Sequence, residues 1–315
     1  MTILGAGAAG FLFVRERLLW PTPEVGLGLG RWSGWIELAG ASGLVALPAR
    51  VRGVAIQAVI DSGAQYSAID AGLAERLSLP LATPLPIVAF GVSGAPSVTR
   101  AVSLDADLGA LTLKGLRAAT LNLQPLSGLT RQPFSMLLGR DFLRAVVTEV
   151  DFPRRRAAFH QPDHWAPPTE ARAVTVRNQA GGLMVDVHVE QAPPVEVMLD
   201  TGATGALALS EETARAVGLL DGRPIQRRPS VTLGGVSQDG VVRARRIAFA
   251  GHAMTDLDVQ IYRRPPDSPA PNGLLGLGVL ERFHLTLDLA EGRLFLTGPQ
   301  QPPRPHRTQR PTRFD

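Results

Sequence analysis

The sequence predicts an all-β protein built from two similar lobes, with few short helices. Three observations support this: an internal repeat, strand-like segments separated by glycine and proline turns, and a short helix at the same place in each half. The chain has 315 residues, of which 45% are hydrophobic and 19% charged, a globular composition long enough for two domains. We therefore expect two homologous lobes related by a pseudo-two-fold axis.

The internal repeat spans most of the chain. Ala58–Ala64 matches Val197–Ala203 at a spacing of 139 residues, and Met136–Gly139 matches Gly273–Gly276 at a spacing of 137. Further matches follow at the spacing of 137: Leu143 with Leu280, Asp151 with Asp288 and Arg156 with Arg293. Separated matches at nearly one spacing indicate a duplicated lobe. Asp151 and Asp288 precede predicted turns, and we interpret them as turn formers.

Composition divides the chain into five predicted segments. They are an N-terminal apolar segment and lead-in over 1–35, a first lobe over 36–160, a proline-rich linker over 161–172, a second lobe over 173–298 and a disordered basic tail over 299–315. Residues 2–14 carry no charge, as in a secretory signal or a membrane anchor. This favours an exported or periplasmic protein, or one associated with a membrane through its N-terminus, over a cytoplasmic one.

Capping signals place a short helix at a comparable position in each lobe. Asp70 is predicted to cap a helix over 71–77, and Ser210 to cap a helix over 211–217. A second short helix is expected after each Leu-Leu-Gly motif.

Composition also excludes several kinds of chemistry. The chain has no cysteine, which excludes disulfides, thiolate metal sites and a cysteine nucleophile. The histidine pair His160 and His164 has metal-ligand spacing, but Pro162 breaks the helix that such a pair needs. A Gly-x-Gly-x-x-Gly pattern at Gly5–Gly10 lacks the strand and acidic residue of a nucleotide site. Because the 32 basic and 28 acidic residues nearly balance, we expect no nucleic acid partner. The lack of cysteine and of metal-binding histidine patterns predicts no metal, and we expect no cofactor.

Each repeat places an aspartate, Asp61 or Asp200, directly after an apolar strand and before a Ser-Gly or Thr-Gly pair. A buried carboxylate is costly unless the protein uses it, and a two-fold axis would bring the two equivalent loops together. Two carboxylates held that close share one proton, so that one can activate water while the other protonates a carbonyl oxygen. This constellation predicts peptide hydrolysis without a metal.

These motifs resemble those of the retropepsin-like and pepsin-like aspartic proteases, over roughly Ile36 to Leu296. The resemblance implies a catalytic dyad of Asp61 and Asp200. It further implies supporting roles for four residues of the same loops, and places four residues of the Leu-Leu-Gly motifs beneath those loops. The two sets are Ser62, Gly63, Thr201 and Gly202, and Leu138, Gly139, Leu275 and Gly276.

Glycine-rich segments at comparable places in the two lobes predict hairpins. By the same resemblance these hairpins would be flaps that close over an extended peptide. Their residues are Gly91, Val92, Ser93 and Gly94 in the first lobe, and Gly234, Gly235 and Val236 in the second.

Two departures from the family pattern carry expectations of their own. The first lobe has Gly139-Arg140-Asp141, whereas the second has Gly276-Leu277-Gly278, so any bracing by arginine exists on one side only. Ala64 and Ala203 stand where pepsins usually carry a hydroxyl that bonds to the dyad. Loss of such a hydrogen bond raises the pKa of a carboxylate, which predicts a mildly acidic to near-neutral optimum.

The sequence thus predicts an aspartic endopeptidase that cleaves an extended polypeptide. A monomer suffices for the active site, because one chain supplies both lobes. Two alternatives remain open: a catalytically silent peptide-binding module on the same fold, and a latent precursor that processes itself. Both aspartate motifs are intact, which favours the enzyme over the binding module.

Overall fold

The computed structural model describes residues 2–3, 20–40, 43–82, 87–89, 97–129, 133–179, 182–232, 235–264 and 271–299. The predicted flap residues Gly91, Val92, Ser93, Gly94 and Gly234 lie outside these ranges, as do residues 4–19 of the N-terminal segment and the tail from residue 300. Within the described ranges, no helix has the length and apolar character needed to cross a membrane.

Short strands make up most of the described structure. The first half contains β1 (Thr2–Ile3), β2 (Glu24–Leu27), β3 (Ile36–Glu37), β4 (Ala46–Val51), β5 (Val54–Ile60), β6 (Ala68–Asp70), β7 (Ile87–Ala89), β8 (Ser97–Thr99), β9 (Ala101–Asp107), β10 (Leu111–Leu121), β11 (Met136–Leu138), β12 (Val147–Asp151) and β13 (Arg156–His160). The second half contains β14 (Arg172–Thr175), β15 (Arg177–Gln179), β16 (Gly182–Val189), β17 (Val195–Leu199), β18 (Leu207–Ser210), β19 (Gln226–Thr232), β20 (Gly235–Phe249), β21 (His252–Tyr262), β22 (Gly273–Leu275), β23 (Phe283–Asp288) and β24 (Arg293–Pro299).

The helices are short and lie where capping signals or glycine motifs end a strand. They are α1 (Ala71–Arg76), α2 (Gln124–Leu129), α3 (Arg140–Leu143), α4 (Glu211–Ala216) and α5 (Leu277–Leu280), with a 3₁₀ turn at Pro162–His164. Asp70 accepts from the backbone N–H of Leu73 at 3.1 Å, and Ser210 accepts from that of Thr213 at 3.2 Å. Both predicted caps and both predicted helices after the Leu-Leu-Gly motifs are confirmed.

Each lobe is a closed sheet around its own apolar interior. In the first, seven strands run in the order β2-β10-β6-β11-β5-β4-β9, and pairing of β9 with β10 closes the sheet. In the second, nine strands run in the order β1-β19-β20-β21-β18-β22-β17-β16-β15, and pairing of β16 with β20 closes it. The prediction of an all-β, two-lobed protein is confirmed. Strand β2 precedes residue 36, the predicted start of the first lobe, yet pairs within its sheet.

A third sheet, of order β14-β24-β23-β12-β13-β3, joins the lobes. At its centre β12 and β23 run antiparallel, with Val147 opposite Asp288, Glu149 opposite Thr286 and Asp151 opposite His284. This register maps onto itself when the lobes are exchanged at the repeat spacing of 137 residues, so the pseudo-two-fold axis passes beside Glu149 and Thr286.

Hydrogen bonds between side chains stabilise the sheet that joins the lobes. Glu149 accepts from His160 at 2.8 Å and from His284 at 2.7 Å. Burial alone raises the pKa of Glu149, but the two histidines outweigh it and lower the pKa to about 2. Asp151 and Asp288 accept from backbone N–H groups of the turns that follow them, which confirms their prediction as turn formers.

Candidate active site

Equivalent strands deliver the two aspartates to the centre of the molecule. Strands β5 and β17 each end in three buried apolar residues, and Asp61 and Asp200 follow directly. Strand β11 lies parallel to β5, and β22 lies parallel to β17. The backbone N–H of Asp61 therefore donates to Leu138 at 3.0 Å, and that of Asp200 to Leu275 at 2.9 Å. The Leu-Leu-Gly motifs thus support the strand ends from which the aspartates emerge.

Close backbone approach explains the glycine of each Leu-Leu-Gly motif. A Cβ atom on Gly139 would lie 2.6 Å from the backbone carbon of Tyr66, and one on Gly276 would lie 2.4 Å from the carbonyl oxygen of Gly205. Contacts that short do not occur in folded proteins, so a side chain at either position would displace the catalytic loop above it.

Ser62 and Thr201 lock the two loops together across the axis. The Ser62 N–H donates to Thr201 Oγ1 at 2.9 Å, and the Thr201 N–H donates to Ser62 Oγ at 3.1 Å. Each hydroxyl then donates to the opposite lobe, Ser62 Oγ to the Leu199 carbonyl at 3.0 Å and Thr201 Oγ1 to the Ile60 carbonyl at 2.8 Å. All four bonds are buried, so they hold the loops in fixed register.

The Asp61 and Asp200 carboxyl groups are fully buried and face the same centre. Asp61 Oδ1 accepts from the N–H groups of Gly63 and Ala64, both at 3.0 Å, and Asp200 Oδ1 accepts from that of Gly202 at 2.8 Å. The Oδ2 atom of each aspartate is buried without a hydrogen-bond partner among the described residues. A Cβ on Gly202 would lie 2.7 Å from Asp61 Oδ2, so the second loop is packed directly against the first aspartate.

Electrostatics keep this pair protonated to an unusually high pH. Burial raises the pKa of Asp61 from 3.8 to about 6, against the lowering effect of backbone N–H bonds from Ala64 and Gly63. Burial and repulsion by the Asp61 charge raise the pKa of Asp200 well above its usual range. Two like charges this close cannot both ionise near neutral pH. The pair is therefore suited to hold one proton, with Asp61 as the more acidic group.

The raised pKa values predict a pH-dependent gain in stability for Asp200→Asn. A carboxyl group with a raised folded-state pKa stabilises the fold below its unfolded value of 3.8, and this contribution is lost as pH rises through about 6 and above. We expect similar melting temperatures for wild type and variant at pH 4, and a variant several degrees more stable at pH 8. Thermal unfolding at both values measures this; a difference that does not grow with pH would contradict it.

Asp141 supports the first loop only. Its Oδ1 atom accepts from the N–H of Ser67 at 2.9 Å and from the Ser67 hydroxyl at 2.8 Å, and its Oδ2 accepts from the Trp20 indole at 3.0 Å. The equivalent position in the second lobe is Gly278, which cannot make these bonds. The Gly-Arg-Asp motif signalled this asymmetry, but nothing in the sequence pointed to Trp20.

Hairpins stand at the predicted flap positions. Strand β7 pairs with β8 in the first lobe, and β19 pairs with β20 in the second, with Thr232 opposite Gly235. Gly235 and Val236 thus begin β20 beside the turn, and Val236 is 69% exposed. That the hairpins close on substrate stays a prediction.

A small, largely apolar pocket adjoins the dyad on the first-lobe side. Its volume of about 10 Å³ corresponds to about one water molecule, so it is too small for a side chain. It is lined by Leu44, Val59, Asp61, Leu126, Phe134, Leu137 and Gly202.

Two closed lobes, a duplicated Asp-Ser/Thr-Gly loop and a pair of facing buried carboxylates define the class of two-lobed aspartic proteases. A family model described as "Aspartyl protease" matches residues 47–142 and again 185–279, which together make up more than half of the chain. The chain belongs to the aspartyl protease family, which confirms its resemblance to aspartic proteases.

Solved structures include a similar protein. A retropepsin-like aspartic protease from Rickettsia conorii matches with 23% sequence identity and a TM-score of 0.33, and the match covers 42% of this chain and 96% of that one. A search of curated proteins gives no match.

Proposed function

We propose that the protein is an aspartic endopeptidase that hydrolyses a peptide bond of an extended polypeptide. The observation that carries the proposal is the pair of buried carboxyl groups, Asp61 and Asp200, whose Oδ2 atoms have no partner among the described residues. The Oδ1 atoms of both aspartates and the hydroxyls of Ser62 and Thr201 are bonded to backbone groups. These two atoms are the groups left to act on substrate and water.

The hydrogen bonds of the pair support one assignment of the two roles. Asp61 Oδ1 accepts two backbone N–H bonds and Asp200 Oδ1 accepts one, which favours ionisation of Asp61. Asp61, with the lower pKa, is the ionised base that takes a proton from water as its oxygen attacks the scissile carbonyl. Asp200 is the protonated acid that donates to the carbonyl oxygen. Breakdown of the tetrahedral intermediate then protonates the departing amine, and the dyad returns to its one-proton state. The interlocked loops hold both carboxyl groups in place, so little reorganisation accompanies the reaction.

Cleavage of a mixed peptide library between pH 3 and 8, with and without a statine-type transition-state inhibitor, tests the proposal. We expect defined cut sites, because the interlocked loops hold both carboxyl groups in fixed positions. The inhibitor should abolish cleavage, since its hydroxyl occupies the place of the attacking water. A folded protein that binds peptides but cleaves none would instead support a silent binding module. A protein that cleaves only after a loss of mass would support a latent precursor.

A further inference from the structure

The first catalytic loop, residues 61–67, rests on the segment of residues 138–141. At the end of the loop, the Gly139 N–H donates to Ser67 Oγ at 3.1 Å. Asp141 Oδ1 accepts from both the N–H and the hydroxyl of Ser67, at 2.9 and 2.8 Å. The end of this loop is therefore held by two side chains, the Ser67 hydroxyl and the Asp141 carboxyl group.

The equivalent loop of the second lobe is held by backbone groups instead. The Gly276 N–H donates to the Ala206 carbonyl, and the Gly278 N–H donates to the Gly205 carbonyl, both at 3.1 Å. Bonds between neutral backbone groups place no charge in the interior. Asp141 places an ionisable group beneath the first loop, and a buried carboxylate needs hydrogen-bond donors on both of its oxygens.

Trp20 donates to the second oxygen of Asp141 and also contacts the loop itself. Its indole Nε1 lies 3.0 Å from Asp141 Oδ2. The ring centroids of Trp20 and Tyr66, the residue before Ser67, lie 4.5 Å apart, with the ring planes inclined by 36°. Trp20 is 8% exposed and Asp141 is 5% exposed, so water competes little for these contacts. One side chain thus ties the loop to the group that supports it.

Movement of this loop would act on Asp61 through its hydrogen bonds. Burial raises the pKa of Asp61 to about 6, and the backbone N–H groups of Ala64 and Gly63 act in the opposite direction. Both groups belong to the loop, and both donate to Asp61 Oδ1 at 3.0 Å. A loop displacement that lengthens these bonds would raise the pKa of Asp61 further and would also move its Oδ2 atom.

We propose that Trp20 is a positioning residue for the dyad, which fixes the first catalytic loop and through it the Asp61 carboxyl group. The proposal rests on the proposed endopeptidase function and adds to it a residue from outside the duplicated lobes. The charged groups that act on Asp61 are Asp200 and Arg140, and a substitution at Trp20 leaves both in place. A change in the titration of Asp61 would therefore report a change in the loop.

Trp20→Phe tests the proposal, because it keeps an aromatic ring beside Tyr66 but removes the indole N–H. We expect kcat per active site, counted by titration with a statine-type inhibitor, to fall about tenfold while KM stays within about twofold. The acid limb of the kcat/KM profile should move to higher pH by about half a unit. Trp32→Phe is the matched control and should keep the wild-type values, since Trp32 Nε1 is buried without a partner among the described residues.

Asp141→Asn breaks the same hydrogen bond from the other side. Asparagine has one acceptor oxygen, so it cannot accept from both Ser67 and Trp20. We expect kcat and the acid limb to change in the same directions as in Trp20→Phe. Adding Trp20→Phe to Asp141→Asn should change little more, because the bond is already lost. Asp141→Asn also decides the question if Trp20→Phe does not fold.

The outcomes separate this proposal from the proposed function. A wild-type kcat and acid limb in Trp20→Phe, or equal losses in Trp20→Phe and Trp32→Phe, would overturn the positioning role and leave the endopeptidase intact. A loss explained entirely by fewer titrated active sites would also overturn it.

Absence of cleavage by wild type would count against the endopeptidase. Carbon-13 NMR of the Asp61 carboxyl group, assigned by the loss of its signal in Asp61→Asn, then tests the positioning role without activity. A higher titration midpoint in Trp20→Phe than in wild type supports the role, and an unchanged midpoint overturns it.

Discussion

Replacing Asp61 or Asp200 by asparagine is expected to lower kcat/KM for peptide cleavage by about 10³-fold or more. Asparagine keeps the size of aspartate but can neither take a proton from water nor donate one as a carboxylic acid. The backbone N–H groups that hold Oδ1 of each aspartate would still find an amide oxygen. The fold should therefore survive, and circular dichroism together with the melting temperature would check this.

A matched control for these variants is Asp70→Asn. Asp70 is 5% exposed and caps α1, and asparagine caps helices about as well as aspartate. Its Oδ2 also accepts from the Leu123 N–H at 3.3 Å, so the variant loses one backbone bond and also controls for a small loss of stability. The same chemical change at a buried aspartate outside the dyad should leave cleavage nearly unchanged. Cleavage that persists in Asp61→Asn or in Asp200→Asn would show that the two carboxyl groups do not act as one unit.

After the aspartate variants, we expect the next largest loss of activity from Gly202→Ala, because the new Cβ atom would collide with Asp61. The new Cβ would lie 2.7 Å from Asp61 Cγ and Oδ2 and 2.8 Å from Oδ1, so the Asp61 carboxyl group has to move. Displacement of a reacting group by about 1 Å costs on the order of 10²-fold in rate, and we expect at least that loss in kcat/KM. Kinetics with the peptide used for the aspartate variants measures it.

Gly128→Ala provides the control for Gly202→Ala. A Cβ at Gly128 meets nothing within 4 Å, and the residue lies within α2, where alanine is the better helix former. That variant should keep full activity. The melting temperature of Gly202→Ala distinguishes a displaced dyad from a collapsed loop. Full activity in Gly202→Ala would contradict the close packing of the second loop against Asp61.

The sequence predicted the candidate site because each copy of the aspartate motif is a short, continuous segment of the chain. An apolar strand, an aspartate and a glycine turn lie within seven residues of each other in both halves, so a spacing in the sequence located Asp61 and Asp200. Caps at Asp70 and Ser210 follow from side chains that bond to the backbone three residues on. The structure confirms these short-range features.

Pairings between distant segments were not predictable in this way. The Trp20 indole bonds to Asp141, 121 residues away, and β2 joins the first lobe by pairing with β10. Gln260 donates to Asp239 on a neighbouring strand, a contact that no local pattern describes. Such contacts depend on how separate strands meet in the folded sheet.

Helix α2 was not predicted for a different reason, which is that its own residues disfavour a helix. Its segment Gln124–Leu129 contains Pro125 and Gly128, two residues that disfavour a helix. Pro125 falls in the first turn, where its missing N–H has no intrahelical partner to lose. Leu126 is buried against the first-lobe core, so tertiary packing outweighs the weak local preference.

Because one chain encodes both lobes, the two lobes can differ in sequence. Arg140 and Asp141 follow the glycine of the first Leu-Leu-Gly motif, whereas Leu277 and Gly278 follow that of the second. Asp141 then supports only the first catalytic loop. The dyad itself is unequal in pKa, with Asp61 the more acidic member. In the proposed mechanism this inequality favours Asp61 as the base and Asp200 as the acid.

The pH dependence of kcat/KM for one cleaved peptide tests the central claim, that two carboxyl groups sharing one proton perform the hydrolysis. Below about pH 6 Asp61 is protonated and no base remains, and above the raised pKa of Asp200 no acid remains. The rate should therefore follow a bell-shaped curve with its acid limb near pH 6 and its maximum near neutral pH. A maximum near pH 2 to 3 with falling activity through pH 6 would contradict the account.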